Sequence, residues 1–198
     1  MSLLIESIKL VDGKFCNLFY HEQRMIRSLN HVCGVEEDIN LEKFLGELEV
    51  PASGVYKCRI VYDELVKDVA FMPYQPRSIG SLQVVEHDRI SYEFKFRDRS
   101  AIDKLFAQRG TCDDILIVKK GQITDASMAN IVFRKGKTWY TPWSALLKGT
   151  MRQKLLEENR IQTEDISVDD LASFDSWKLV NAMLEFDSPE IEVSKIVL

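Results

Sequence analysis

Lys95 stands between Phe94 and Phe96 at the end of a run, Ser91 to Phe96, that reads as a strand. An amine at a strand end can sit at the mouth of a cleft, from where a lysine acts as a nucleophile; a lysine on a strand surface fits the same segment equally. Asp125 follows Gly121-Gln122-Ile123-Thr124 and suits a turn or a helix cap as well as a charge-pairing role. Gly149-Thr150-Met151-Arg152 opens a helical segment after Pro142, and the unpaired N–H groups of a helix start suit a phosphate. Lys57 and Arg59, two apart on a predicted strand, point to one face. They are placed to meet substrate carboxylates, or else to lie on a solvated edge strand.

Other chemistries lack their residues. Cys16, Cys33, Cys58 and Cys112 are scattered with no CxxC pair, and His21, His31 and His87 have no metal-ligand spacing, so no metal site is expected. The cysteines read as ordinary buried or half-buried thiols. No GxSxG or GxxxxGK[ST] sequence occurs. With 31 acidic and 26 basic residues the formal charge is -5, without a long block of one sign, and no footprint for nucleic acid results. Among 198 residues, 45% apolar and 29% charged, no stretch approaches the length of a membrane span, and Met1 to Leu10 does not read as a leader. The expected location is the cytoplasm.

The elements that must position these residues follow from periodicity. Leu3 to Leu10 and Lys14 to Phe19 read as strands joined by a turn at Asp12-Gly13. From His21, Met25, Ile26, Leu29 and Val32 fall at helical spacing up to Gly34, which puts Arg24 and Arg27 on other, exposed faces. A second helix spans Leu41 to Leu48, a strand pair Gly54 to Tyr62 and Val66 to Tyr74, and Pro73 and Pro76 mark a connector. Gln83 to His87 reads as a strand. After the Lys95 strand a helix begins near Ser100 and stops at Gly110. Strands are then expected over Asp114 to Lys119, Ala129 to Arg134 and Thr138 to Thr141, with turns at Lys120-Gly121 and Lys135-Gly136. A helix over Thr150 to Glu158 and two short closing strands complete the chain. Strand runs with helices between them predict an α+β protein of two lobes, 1–78 small and 79–198 larger and carrying Lys95, meeting near Pro76 to Ser81.

Taken in order, these segments resemble the class IV aminotransferase and aminodeoxychorismate lyase family of pyridoxal phosphate (PLP) enzymes over nearly the whole chain. His21-Glu22-Gln23-Arg24 resembles the family's HxxR stretch, with Glu6 in the hairpin before it, and Lys95 to Arg99 resembles its KxxxR segment. Gly121 to Asn130 resembles G-x-[VL]-T-E-x-x-x-x-N with Asp125 in place of Glu; Thr141-Pro142 and Gly149-Thr150-Met151-Arg152 follow, and Asn181-Ala182-Met183 resembles the N-[SA]-[LM] element. The chain is short for the family.

The resemblance implies a two-lobed fold-type IV architecture, similar to D-amino acid aminotransferase, and pyridoxal 5'-phosphate as cofactor. Lys95 would form the Schiff base and then move protons at the substrate Cα, and Asp125 would pair with the ring nitrogen. Arg24, the amides of Thr150 and Met151, and Asn181 and Ala182 would receive the phosphate. Arg99 carries no assigned contact. Lys57 and Arg59 would meet the substrate, since Lys57 falls where lyases of the family place a basic residue. The implied reaction is that of 4-amino-4-deoxychorismate lyase, elimination of pyruvate to leave 4-aminobenzoate. Branched-chain or D-amino acid transamination is the alternative, and a non-catalytic protein of the same fold a further one. A homodimer acting on a small amino substrate is the expected assembly.

Overall fold

Alternation along Leu4–Val11 sends Leu4, Ile8 and Leu10 to one side, and this strand, β1, is the spine of the first half of the fold. The computed structural model describes residues 2–36 and 39–198. Its chain divides into two compact units, Met1–Pro76 with Phe94–Asp98, and Arg77–Glu93 with Arg99–Leu198. The Lys95 segment therefore returns to the first unit, whereas the sequence placed it with the second.

In the first unit β1 turns at Asp12 and Gly13, both at positive φ, into the two-residue β2, Lys14–Phe15. The strand expected to run to Phe19 stops there. Cys16 still donates its N–H to the Lys9 carbonyl, but Asn17 takes a left-handed conformation and the helix α1, Leu18–Ser28, starts at once. A wider turn over Leu29–Cys33 continues it to Gly34, and α2 spans Leu41–Gly46. The strands β3, Val55–Tyr62, and β4, Val66–Pro73, complete an antiparallel sheet in the order β2-β1-β3-β4. Leu4, Ile8, Cys58, Ile60 and Tyr62 on one face of that sheet pack with Met25, Leu29, Leu41 and Leu45 of the helices.

Arg24 departs from expectation. It is buried at 5% exposure, because the side of α1 on which it lies faces the Glu6 side chain rather than water. Ser91 to Phe96 departs too: it forms no strand, only a single antiparallel bridge from Phe96 to Leu4. Ile5 donates to the Lys95 carbonyl and Arg97 to the Leu3 carbonyl, both flanking that bridge, while Phe96 N–H reaches back to the Phe94 carbonyl at 2.9 Å. Lys95 is thus the central residue of a three-residue turn.

The second unit begins with β5, Leu82–Glu86, then α3, Ser100–Phe106, and β6, Asp114–Lys119, which lies parallel to β5. Next come β7, Gln122–Ala126, β8, Asn130–Lys135, and β9, Thr138–Pro142. The chain continues through α4, Thr150–Glu157, β10, Gln162–Glu164, β11, Ser176–Val180, β12, Ile191–Glu192, and β13, Ile196–Val197. The sheet runs β10-β9-β8-β7-β6-β5-β13, and β11 pairs with both β8 and β12. Asp125 lies on β7, a strand where the sequence suggests a turn or helix cap, and pairs with Asn130 across a tight connection.

Strand β8 is buried on both faces. Ile131 and Phe133 join Trp177, Leu116 and Ile166 in the main core, and Val132 joins Met151, Leu155 and Val180 beneath α4. Phe133 has no exposed surface. Phe133→Ala is expected to cost about 3–5 kcal/mol, read as a lowered urea midpoint with an unchanged slope.

Candidate functional site

Glu6 lies within the first unit with no exposed surface, and three donors meet it. Arg24 Nε donates to its Oε1 at 2.8 Å and Arg24 Nη2 to its Oε2, while His21 Nδ1 lies 2.6 Å from Oε2. Burial raises the carboxyl, but the Arg24 charge and the hydrogen bonds of Arg24 and His21 outweigh it and hold Glu6 at about 2. Burial pushes the His21 imidazole down; Glu6 opposes this, and the charges of Arg24 and Lys95 add to it. A neutral ring that donates from Nδ1 leaves Nε2 as an acceptor, and this buried Nε2 has no hydrogen-bond partner among the described residues. The HxxR stretch is thus a clamp: Arg24 is locked in orientation by a carboxylate from the adjoining strand.

On the opposite sheet face the pleat brings other groups together. Arg59 stands across from Ser7 and Lys57 across from Lys9, with Val61 across from Ile5. Lys57 and Arg59 are half-buried and form no hydrogen bond or ion pair among the described residues. Phe94 and Phe96 both pack on the core side, and the charge of Lys95 between them reaches the buried His21.

In the second unit Asp125 is 5% exposed and accepts from Asn130 Nδ2 at 2.7 Å and from the Leu147 amide at 2.9 Å. Burial raises its pKa to about 6 in spite of these bonds and of the Arg152 charge. The same Asn130 amide donates to the Leu147 carbonyl at 2.8 Å, so Asp125 and Asn130 together hold the loop that leads into α4. Gly149 caps that helix with no side chain of its own; a Cβ there would stand 2.1 Å from Asn130 Oδ1, so the backbone can pass only as glycine. Arg152 anchors the first turn from below, through Nε to Thr141 Oγ1 at 3.2 Å and Nη2 to the Pro142 carbonyl at 3.0 Å. Thr150 and Met151 are buried at the helix start, and no side chain caps it.

Asn181 builds a turn after β11. Its Oδ1 accepts from the amides of Met183 and Leu184, and its Nδ2 reaches the Met128 carbonyl at 3.1 Å; Ala182 lies half-buried within that turn. Arg99 donates to the Ser127 carbonyl at 2.8 Å, which supplies the contact the sequence could not assign. Met128 and Ser127 belong to one connection between β7 and β8, so Arg99 and Asn181 both stabilise it. Sequence reasoning left Asn130 and Arg152 without roles, although both stand inside quoted motifs; Glu6 and His21 were likewise visible only as motif members. A groove of about 330 Å³ between Phe15, Leu18, Leu45 and Val50 contains none of the candidate residues.

These features agree with the residue set of a PLP site. Asp125 is a buried carboxylate without a direct ion pair among the described residues, which suits a cationic ring nitrogen. The uncapped helix start at Gly149 suits a phosphate, and Lys95 offers a half-buried amine.

The chain belongs to the class IV amino-transferase family, whose pattern matches residues 74–186. It has the fold-type IV architecture and is a PLP-dependent lyase or aminotransferase. Among its relatives, an uncharacterized protein of Haemophilus influenzae is 39% identical over 183 residues, covering 91% of this chain and 97% of its own. A solved structure from Haemophilus somnus 129PT, provisionally named a 4-amino-4-deoxychorismate lyase, is 34% identical with a TM-score of 0.88, over 94% of this chain and 98% of that one. A hypothetical aminotransferase from Mycobacterium tuberculosis, solved in PLP-bound form, shares the fold with a TM-score of 0.78 at 17% identity, over 98% of this chain and 81% of that one. No helix among the described residues is long and apolar enough to cross a membrane.

The two buried carboxylates titrate with opposite consequences. Asp125, raised from 3.8 to about 6, opposes folding above pH 6, and the apo-protein gains about 3 kcal/mol from it as pH falls from well above 6 to below 3.8. Glu6, lowered from 4.5 to about 2, contributes stability that is lost as pH falls from 4.5 to 2. Urea unfolding of Asp125→Asn against the parent should show the variant's relative stability greatest above pH 6 and falling by about that amount below pH 4; a difference independent of pH would contradict the assignment.

Proposed function

We propose that the protein is a 4-amino-4-deoxychorismate lyase that uses Lys95 and PLP to eliminate pyruvate and leave 4-aminobenzoate. The observation that carries this reading is the pair Lys57 and Arg59 on one sheet face of the unit that also holds Lys95, both side chains without ion pairs among the described residues. A reactive amine and two such cations within one unit suit an amino substrate with two carboxylates. The 34% identity to the provisionally named lyase of Haemophilus somnus supports the same reaction.

The bound cofactor supplies an aldehyde for the amine and a ring that withdraws electrons from the carbon bearing it. Lys95 Nζ takes the proton from that carbon and returns one as the product departs. Glu6 fixes Arg24 in the same unit as Lys95. Asp125 holds a proton on the ring nitrogen, a task to which a buried carboxylate in need of a cation is suited. Arg24, and separately the first-turn amides of α4 at Thr150 and Met151, receive the phosphate, with the Asn181-Ala182 turn nearby in sequence to β11. Arg59 orients the carboxylate nearer Lys95, and Lys57 contributes to the farther one. Two copies of the chain form the working assembly, in the cytoplasm.

Purified protein should be yellow with bound PLP, and Lys95→Ala should lose both that colour and turnover. Supplied with aminodeoxychorismate and no keto acid, the parent should release pyruvate. Turnover only when 2-oxoglutarate is added would assign the protein to transamination instead.

A further inference from the structure

The wide turn that follows α1 carries a residue that no motif contains. Over Leu29–Cys33 the chain makes one π turn, with the Gly34 amide bonded back to the Leu29 carbonyl, and Gly34 then leaves at positive φ. Such a turn holds one residue more than an α-helical turn and offsets its side chains from the register of the helix before it. Leu29 stays buried in the apolar cluster of this unit, while His31 comes to the surface. His31 is nonetheless fixed. Its Nδ1–H donates to the Arg27 carbonyl at 2.9 Å, and its ring centroid lies 5.8 Å from that of Phe94 with the planes tilted by 37°. Phe94 in turn meets Phe96 edge to face at 6.2 Å. Three rings in series, His31, Phe94 and Phe96, run from the π turn to both flanks of Lys95, all within one unit.

The turn that these rings flank has little regular structure to share its restraint. Phe96 N–H closes it onto the Phe94 carbonyl, two further main-chain bonds join it to β1, and no ladder extends beyond the single bridge from Phe96 to Leu4. Segments with so few bonds open locally unless side-chain packing holds them. Phe94 is only half-buried, so the core cluster covers part of its surface and the exposed His31 ring covers another part. Aromatic rings at this separation attract each other.

We propose that His31 is a positioning residue for Lys95: its ring, oriented by the π turn and the Arg27 carbonyl, pins Phe94 and so holds the turn that carries the amine in one conformation. The inference rests on Lys95 as the cofactor lysine for its catalytic consequence, and not for the contact itself. A small displacement of a reacting group slows the step that it performs, and leaves a substrate site elsewhere intact.

Amide hydrogen exchange of the purified full chain tests the contact. The Ile5 and Arg97 amides, which close onto the Lys95 and Leu3 carbonyls, should exchange about 10-fold faster in His31→Ala, while amides of the β1–β3 ladder stay within about twofold of the parent. His31→Phe keeps a ring without the donor and should restore protection to within about threefold; His31→Gln keeps a donor without the ring and should behave as His31→Ala. In turnover, by elimination or by transamination, His31→Ala should lower kcat about 10-fold with KM within about threefold, and His31→Phe should recover it. Unchanged exchange at Ile5 and Arg97 in His31→Ala, equal acceleration along the β1–β3 ladder, or failure of His31→Phe to restore both readouts would each overturn the proposal. The expected exchange pattern in a protein that stays colourless with PLP would instead remove the cofactor reading of Lys95 and leave His31 as the support of this turn.

Discussion

A carboxylate taken out of water must be met by donors or cations where it lies, or it will take up a proton. Each unit of this protein is organised about one such group. Glu6 is answered generously, by Arg24 and His21, and remains ionised far below neutrality. Asp125 is answered by neutral groups, the Asn130 side-chain amide and the backbone amides of Leu146 and Leu147, and is left at about 6. The first is a finished structural assembly; the second has capacity for one more positive partner.

The surroundings of each carboxylate then follow. Glu6 fixes the orientation of the buried Arg24 guanidinium, which ties α1 to β1 through a charged contact as well as an apolar one. Asp125 and Asn130 grip the Leu147 backbone, Asn130 fills the space over Gly149, and Arg152 joins α4 to the Thr141-Pro142 strand end. Motifs scattered over more than thirty residues of sequence thus form one bonded set, and the start of α4 is held at three points. A helix end so restrained presents its amides in fixed directions without reorganisation when an anion arrives.

Much of this was legible in the sequence, and the failures have physical causes. Amphipathic elements such as β1, α1 and α4 follow their periodicity. Strand β7 was missed because Gln122-Ile123-Thr124-Asp125-Ala126 is buried along most of its length and carries no period of two, and its acid suggested a turn. The Lys95 strand was overread: aromatic alternation there reflects Phe94 and Phe96 packing on one core, achieved by a bridge and a tight turn rather than a ladder. Arg24 was assigned to solvent because a helix period cannot reveal that a strand residue eighteen positions earlier, Glu6, offers a carboxylate. The pairing of Lys9 with Lys57 depends on the β1–β3 register, which no local pattern encodes.

Three main-chain hydrogen bonds secure the turn at Lys95: Ile5 to the Lys95 carbonyl, Arg97 to the Leu3 carbonyl, Phe96 to the Phe94 carbonyl. Apart from the two anchoring phenylalanines, the placement of this amine therefore asks little of its neighbours' identities. Positions such as 97 are open to change during divergence or in the laboratory, so substrate range can be altered around a lysine whose own location is inherited from the backbone.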